Sequence, residues 1–161
     1  MISESRRQSA LDALGILDTP PDERVDRVAR LAKEMFGVPL VSVSLIDRDR
    51  QWRKSQIGLG GSEAPREDSF CDYTVRKGGS VIVEDATVSV EFADNPFVVG
   101  DPHVRFYAAH PLFAPGGEPV GTLCIVDTEP RSFDEAQSVL LQDLAFWVQT
   151  ELIQDQDIDH A

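Results

Sequence analysis

The stretch Leu40-Val41-Ser42-Val43-Ser44-Leu45-Ile46, followed by Asp47-Arg48-Asp49-Arg50 and then Gln51-Trp52-Arg53-Lys54-Ser55-Gln56-Ile57, sets the architecture. Side chains alternate between the two faces of a strand, so Val41, Val43 and Leu45 share one side and Ser42, Ser44 and Ile46 the other. The polar turn after Ile46 sends the chain back along a second strand, residues 51–57. Branched apolar side chains suit packing against helices, whereas two small hydroxyls leave room. A pocket is therefore expected on the serine side.

On the N-terminal side, residues 5–14 carry a weak helical pattern at Ala10, Leu11 and Leu14 that stops at Gly15. Thr19 reads as the cap of a second helix, with Pro20 at its first position and Asp22 and Glu23 in its first turn. Val25, Val28, Ala29, Ala32, Met35 and Phe36 then fall on one face, so this helix should pack on the sheet until Gly37 ends it.

On the C-terminal side, residues 104–112 and 119–127 read as two central strands, joined by Ala114-Pro115-Gly116-Gly117-Glu118 with glycines to supply positive φ. Ser132, with Glu135 completing a capping box, should open a last helix running to residue 153. Its apolar residues Leu140, Leu141, Leu144, Ala145, Phe146, Trp147, Val148 and Leu152 cover more than one stripe. A second surface must meet them, either the N-terminal helix or the same helix of another subunit, which makes a homodimer the expectation. The polar residues 154–161 are expected to fray.

Between these blocks, residues 58–100 are irregular, with a short helix at 69–75, a strand at 81–84 and a helical turn at 92–99. Connections this long in a compact domain usually carry function, and a lid is expected here.

The 161 residues make one domain, and 28 acidic against 15 basic side chains leave a formal charge of −13. That field repels phosphate backbones and anionic headgroups, which excludes nucleic acid and the membrane surface as partners. The basic cluster Arg48, Arg50, Arg53 and Lys54 reads as a solvated hairpin. No apolar run is long enough to span a bilayer and residues 1–10 are too polar for a signal peptide, so a cytoplasmic location is expected. Only two cysteines occur, without metal-ligand spacing.

No glycine-rich loop follows a strand, so nucleotide hydrolysis is not indicated. Cys71, in Ser69-Phe70-Cys71-Asp72-Tyr73, is the strongest candidate for chemistry: a thiol near a helix N-terminus is either reactive or a small buried hydrophobe. Cys124 lies in an apolar strand and reads as core. Cys71, His110 and Asp94 contain the elements of a cysteine-histidine-acid system, which geometry alone recognises. Trp52, Phe70, Tyr73, Phe92, Phe97, Phe106 and Tyr107 surround the irregular region and suit a flat or apolar ligand. The expected site comprises Ser44, Trp52, Phe70, Cys71, Tyr73, Asp94, Phe106 and His110, the aromatics stacking, Ser44 and His110 hydrogen-bonding, and Cys71 filling space or sensing oxidation. No cofactor is named by these residues.

Several blocks in one order, Leu14-Gly15-Ile16-Leu17-Asp18-Thr19-Pro20-Pro21, Val43-Ser44-Leu45-Ile46-Asp47 with Gln51-Trp52, Ser69-Phe70-Cys71, Phe92-Ala93-Asp94-Asn95-Pro96, Arg105-Phe106-Tyr107-Ala108 and Gly121-Thr122-Leu123-Cys124-Ile125-Val126-Asp127, are similar to those of the GAF family. The chain resembles its bacterial branch, found at the N-terminus of sensor histidine kinases and cyclic-di-GMP signalling enzymes. The resemblance implies an α+β fold: a central antiparallel sheet of five or six strands, N- and C-terminal helices on one face, and pocket-forming loops and short helices on the other. It implies an N-terminal helix and linker over 1–18, the domain over 19–153 and a polar tail over 154–161. The function implied is a non-catalytic sensor that binds a small molecule, dimerises through its terminal helices and signals to a kinase or cyclase output, the chain being either a stand-alone regulator or one piece of a longer protein.

Two departures touch the pocket. Tyr73 stands where similar proteins often have histidine, and His110 where they often have a small residue. Asp72, not histidine, follows Cys71, which argues against a covalent bilin. Free methionine sulfoxide reductases, the enzymatic relatives, use several cysteines in one half of the fold, and Cys124 lies on a different strand, so Cys71 is expected to lack a partner thiol. A Cys71-centred redox switch or reductase-like enzyme, and a ligand-free dimerisation scaffold, are the alternatives.

Overall fold

The strand β1 (Leu40–Ile46) is buried along its whole length. It lies inside a six-stranded antiparallel sheet in a computed structural model that describes residues 3–160, and of residues 154–160 the backbone alone. The other strands are β2 (Arg50–Ile57), β3 (Glu63–Pro65), β4 (Val81–Val83), β5 (Phe106–Phe113) and β6 (Pro119–Asp127). Their order, β3-β2-β1-β6-β5-β4, puts β1 and β6 at the centre. Of the two strands expected to be central, β5 instead sits one place from the edge, because β4 is too short to continue the sheet beyond it.

Gly121 permits the central pairing. It faces Leu45 across the β1–β6 ladder, and a Cβ there would lie 2.1 Å from the Ser44 carbonyl oxygen.

On the face of Val41, Val43 and Leu45 lie α1 (Glu4–Leu14), α2 (Glu23–Phe36) and α5 (Glu135–His160), closing a core with Leu11, Val28, Ala32, Leu123, Ile125 and Leu141. Burying side chains of this size contributes about 1.5–3 kcal/mol each, which makes this layer the main source of stability. Met35, expected on the buried face of α2, is exposed. On the opposite face lie α3 (Phe70–Lys77) and α4 (Pro96–Val99).

The helix ends show where local signals compete. Ser3 caps α1 and Gly15 ends it at φ 64°. Asp22, not Thr19, caps α2: Pro21 biases Pro20 towards extended backbone, so the helix can begin only after the proline pair. The Thr19 hydroxyl donates to the Ile16 carbonyl and accepts from Lys54 Nζ at 2.8 Å. The last helix is capped by a reciprocal pair, Asp134 with Gln137 at 2.8 and 2.9 Å, two residues after the expected Ser132–Glu135 box. Its backbone stays helical to His160, beyond residue 154 where fraying was expected. In the β5–β6 hairpin only Gly117 takes a positive φ, 96°.

Arg131 ties the layers together. It pairs with Asp127 at 2.6 Å and donates to the Phe36 carbonyl at 2.8 Å and to that of Gly37, placing a cation on the last carbonyls of α2.

Candidate functional site

Alternation along β1 turns Ser42, Ser44 and Ile46 away from the terminal helices, and the same parity brings Tyr107, Cys124 and Val126 to this second face. α3 crosses it, its first turn held by Ser69, whose Oγ accepts from Asp72 N at 3.1 Å. Ser69 in turn donates to Gln51 Oε1, and Gln51 Nε2 donates to Ser44 Oγ at 2.9 Å; Ser44 and Ser42 share a further hydrogen bond. This buried relay explains the two serines. They satisfy Gln51 and through it the cap of α3, and a polar chain of this kind stabilises only when each member is paired.

Between this sheet face, α3 and the segment from Phe97 to Val104 lies a cavity of about 360 Å³. Leu40, Leu59, Phe97, Val104 and Val126 supply apolar walls, and Gln51, Arg53 and Ser69 supply polar groups. Cys71 and Cys124 both line it. The connection over residues 58–100 thus forms part of the cavity wall, and Asn95 anchors it by donating from Nδ2 to the Asp68 carbonyl at 3.0 Å.

The fold brings the two thiols against each other, although 52 residues separate them in sequence. Tyr107 donates to Cys71 Sγ at 3.6 Å and shares a 2.8 Å bond with Thr74. Hydrogen bonding from Cys124, with Thr122, Tyr107 and the Arg53 charge adding to it, lowers the pKa of Cys71 against the effect of burial. The same Cys71–Cys124 contact, reinforced by burial, raises that of Cys124. Burial and the two thiols raise Tyr107. Cys71 and Cys124 are both free thiols, supplied to one cavity by α3 and β6.

Of the residues expected to line the site, Phe70 and Cys71 do so. Ser44 lies fully buried beneath Gln51. Tyr73 stands edge-on to Phe92, ring centroids 5.2 Å apart, and faces a neighbouring cleft with Val81 and Val83. Asp94 is exposed in the loop before α4. Trp52 and Phe106 point to the opposite, helix-bearing face, where the Phe106 ring centroid is 5.5 Å from that of Phe133. His110 shares the parity of Ala108 and Leu112 on that face; it bonds Ser80 Oγ at 2.7 Å, and burial lowers its pKa. Cys71, His110 and Asp94 consequently do not converge.

The physical reason is that Phe106-Tyr107-Ala108-Ala109 is apolar on both faces, so its pattern does not say which parity meets the helices. Gln51, Arg53 and Cys124 were missed as lining residues, whereas Tyr107, named among the surrounding aromatics, does line the cavity. One signal existed: once Trp52 joins the helix-side core, Gln51 and Arg53 must face the other way. The basic cluster is likewise not a uniformly solvated hairpin. Arg50 meets Asp18, Asp47 and Glu63 at 2.8–3.0 Å, Lys54 reaches Thr19 and the Pro20 carbonyl, and Arg53 turns into the cavity.

A family model described as GAF domain matches residues 20–152. A cyclic di-GMP phosphodiesterase of Pseudomonas aeruginosa is 41% identical over 128 residues, 80% of this chain and 22% of that protein. The chain thus spans about a fifth of the length of that relative. The GAF domain of a phosphoenolpyruvate-protein phosphotransferase from Coxiella burnetii superposes with a TM-score of 0.71 at 14% identity, covering 99% of this chain and 100% of that one. A free methionine-R-sulfoxide reductase from Neisseria meningitidis, solved with its substrate, gives 0.67 at 22% identity over 96% and 95%. A phycocyanobilin-bound GAF domain from a cyanobacterial phytochrome gives 0.70 at 15% identity over the full length of both chains. At these identities the structures share the fold with this chain.

Proposed function

The chain belongs to the GAF domain family, and on that footing we propose that it is a non-catalytic sensory domain whose cavity takes a small molecule and whose terminal helices report occupancy. The observation that carries this reading is the mechanical continuity around the cavity. The helix bearing Cys71 is fastened to the sheet through Ser69, Gln51 and Ser44, and to α1 through Arg66, which meets Asp72 at 2.8 Å and Glu4 at 2.7 Å. A ligand that displaces α3 has to strain one of these links.

The second half of the signal path is α5. Val139, Phe146 and Trp147 are exposed on it, away from its buried side, and an apolar stripe of this kind suits the same helix of a second copy. The proposal extends to a homodimer reporting to an output domain in the bacterial cytoplasm, of the cyclic-di-GMP or two-component class, and the similarity to the Pseudomonas cyclic di-GMP phosphodiesterase supports the first of these classes. Among the described residues no helix is long and apolar enough to cross a membrane.

Native mass spectra and an absorption spectrum of the protein as purified test the sensory reading. A stoichiometric extra mass or a visible band supports it; a clean apo mass that stays clean on exposure to cell extract favours a scaffold.

The Cys71–Cys124 contact favours one second reading, a thiol switch. A peroxide would oxidise the pair to a disulfide, one molecule of hydrogen peroxide becoming two of water as both thiol protons leave. Intact mass after peroxide treatment decides: a loss of two hydrogens per chain supports the switch, and two free thiols reject it.

A further inference from the structure

We propose that Arg53 forms an anion-binding subsite in this cavity, and that the ligand is a small molecule joining an apolar body to one carboxylate or phosphate group. The proposal rests on the reading of the cavity as a small-molecule site.

Arg53 is an anomaly in an acidic protein. Arg7, Arg50, Arg66 and Arg131 each meet a carboxylate, Glu4 at 2.9 Å, Asp18 at 2.8 Å, Asp72 at 2.8 Å and Asp127 at 2.6 Å, and Arg105 is held by the Val98 and Val104 carbonyls at 3.0 Å. Arg53 meets no carboxylate among the described residues, although 28 acidic side chains are present. Its Nη1 reaches only the Gly60 and Gly61 carbonyls, at 3.4 and 3.3 Å. Its Nε is buried without a hydrogen-bond partner, and its Nη2 makes no hydrogen bond among the described residues.

Nε and Nη2 form one edge of the guanidinium, and that edge is the fork which binds a carboxylate or phosphate through two parallel hydrogen bonds. A buried donor left unsatisfied costs free energy that a ligand acceptor would recover. The backbone keeps the fork in place. Arg53 N donates to the Ser62 carbonyl at 2.8 Å and Trp52 is locked into the helix-side core, so the Arg53 side chain stays on the cavity face. Its positive field is felt by both Cys71 and Cys124, which places it over the cavity floor.

The rest of the cavity defines the other half of the ligand. Leu40, Phe97, Val104 and Val126 are apolar, and Phe70 presents a ring stacked at 4.3 Å on Phe92. A volume of about 360 Å³ is at the small end for ligand sites, enough for one ring or a short acyl chain with its anionic group. Asp101, the carboxylate on the lining, is fully exposed at the mouth, where water screens it.

The test is a calorimetric and ligand-detected NMR titration of the full chain with benzoate and phenyl phosphate, against the neutral probes benzamide and benzyl alcohol. Benzoate and phenyl phosphate should bind about tenfold or more tightly than the neutral probes, as charge-assisted bonds to a partly buried fork would give. Arg53→Gln should bring the anions down to the neutral level and leave benzamide unchanged, with Arg53→Lys intermediate. Equal binding of benzoate and benzamide to the unaltered protein overturns the subsite while leaving the cavity reading intact. Failure of all four probes to bind at their solubility limits overturns both. If Arg53→Gln does not fold, the comparison of benzoate with benzamide on the unaltered protein decides alone.

Discussion

Replacing Arg66 by Ala should cost about 2–4 kcal/mol and release α1 from the cavity side of the domain, a sum built from unequal contacts. Arg66 opens the short 3₁₀ turn Arg66–Asp68 that precedes α3. Its Nε meets Asp72 at 2.8 Å, and the two side chains are only 15% and 14% exposed. A charge-assisted hydrogen bond so shielded contributes about 1.5–3 kcal/mol. The Glu4 contact, at 2.7 Å, involves a side chain that is 55% exposed, and solvent holds its contribution to about 0.2–1 kcal/mol. Nη1 also donates to the Asp47 and Arg48 carbonyls at 3.2 and 3.3 Å, bonds that water can replace on truncation. Asp72 would not be left wholly unpaired, because Arg76 meets its other oxygen at 3.0 Å.

Urea denaturation of the two double-mutant cycles separates these contributions. The Arg66→Ala/Asp72→Asn cycle should give a coupling of about 1.5 kcal/mol or more, and the Arg66→Ala/Glu4→Gln cycle less than about 1 kcal/mol. Hydrogen exchange should show amides of α1 losing protection while the β1–β6 ladder keeps its own. A coupling larger for Glu4 than for Asp72, or an Arg66→Ala cost below about 0.5 kcal/mol, would refute the claim that the shielded Arg66–Asp72 pair is the stronger half of the link between α3 and α1.

Four further outcomes are expected. Gly121→Ala places a methyl against the Ser44 carbonyl and should destabilise by about 3 kcal/mol or more, read from the denaturation midpoint; a shift within about 0.5 kcal/mol of the parent would show that β1 and β6 can move apart freely. Acid should weaken the fold in a predictable window. Glu4 is held at about 2 by hydrogen bonds from Arg7 and Arg66, so the unfolded chain protonates first as pH falls below 4.5, and the contribution present above 4.5 disappears by about 2; Glu4→Gln should flatten that part of the stability curve by no more than about 1 kcal/mol. His110 obeys the same sign, because burial lowers its folded pKa: stability should decline as pH drops below 6.5, and His110→Gln should remove that decline in thermal melts between pH 7.5 and about 5.5. On α5, Phe146 is 69% exposed; the unaltered chain should sediment as a dimer and Phe146→Glu as a monomer, and a monomeric parent would reject the helix-mediated dimer.

Much of this molecule was legible one strand at a time. The alternation in Leu40–Ile46 separates a helix-packing side from a small-residue side, because adjacent side chains on a strand must point apart. Gly15 and Gly37 mark helix ends because their αL backbone suits glycine. Phe70 and Cys71 follow from their place in the first turn of a short helix beside the irregular connection. The errors have a common origin. Phe106 and Trp52 are aromatic residues near that region in sequence, but proximity in sequence says nothing about the face of the sheet, and both belong to the helix-side core.

Sequence alone pointed to the family through the resemblance of its ordered blocks, and it determined the asymmetry of the sheet and the order of its flanking helices, since local propensity, capping and periodicity act over a few residues and are written in consecutive positions. The site required tertiary structure. Register brings Cys124 to Cys71, parity carries Arg53 into the cavity with an unpaired fork, and the Ser69–Gln51–Ser44 relay spans three elements; each depends on which strands become neighbours, a choice made by burial of the whole core and recorded at no single residue.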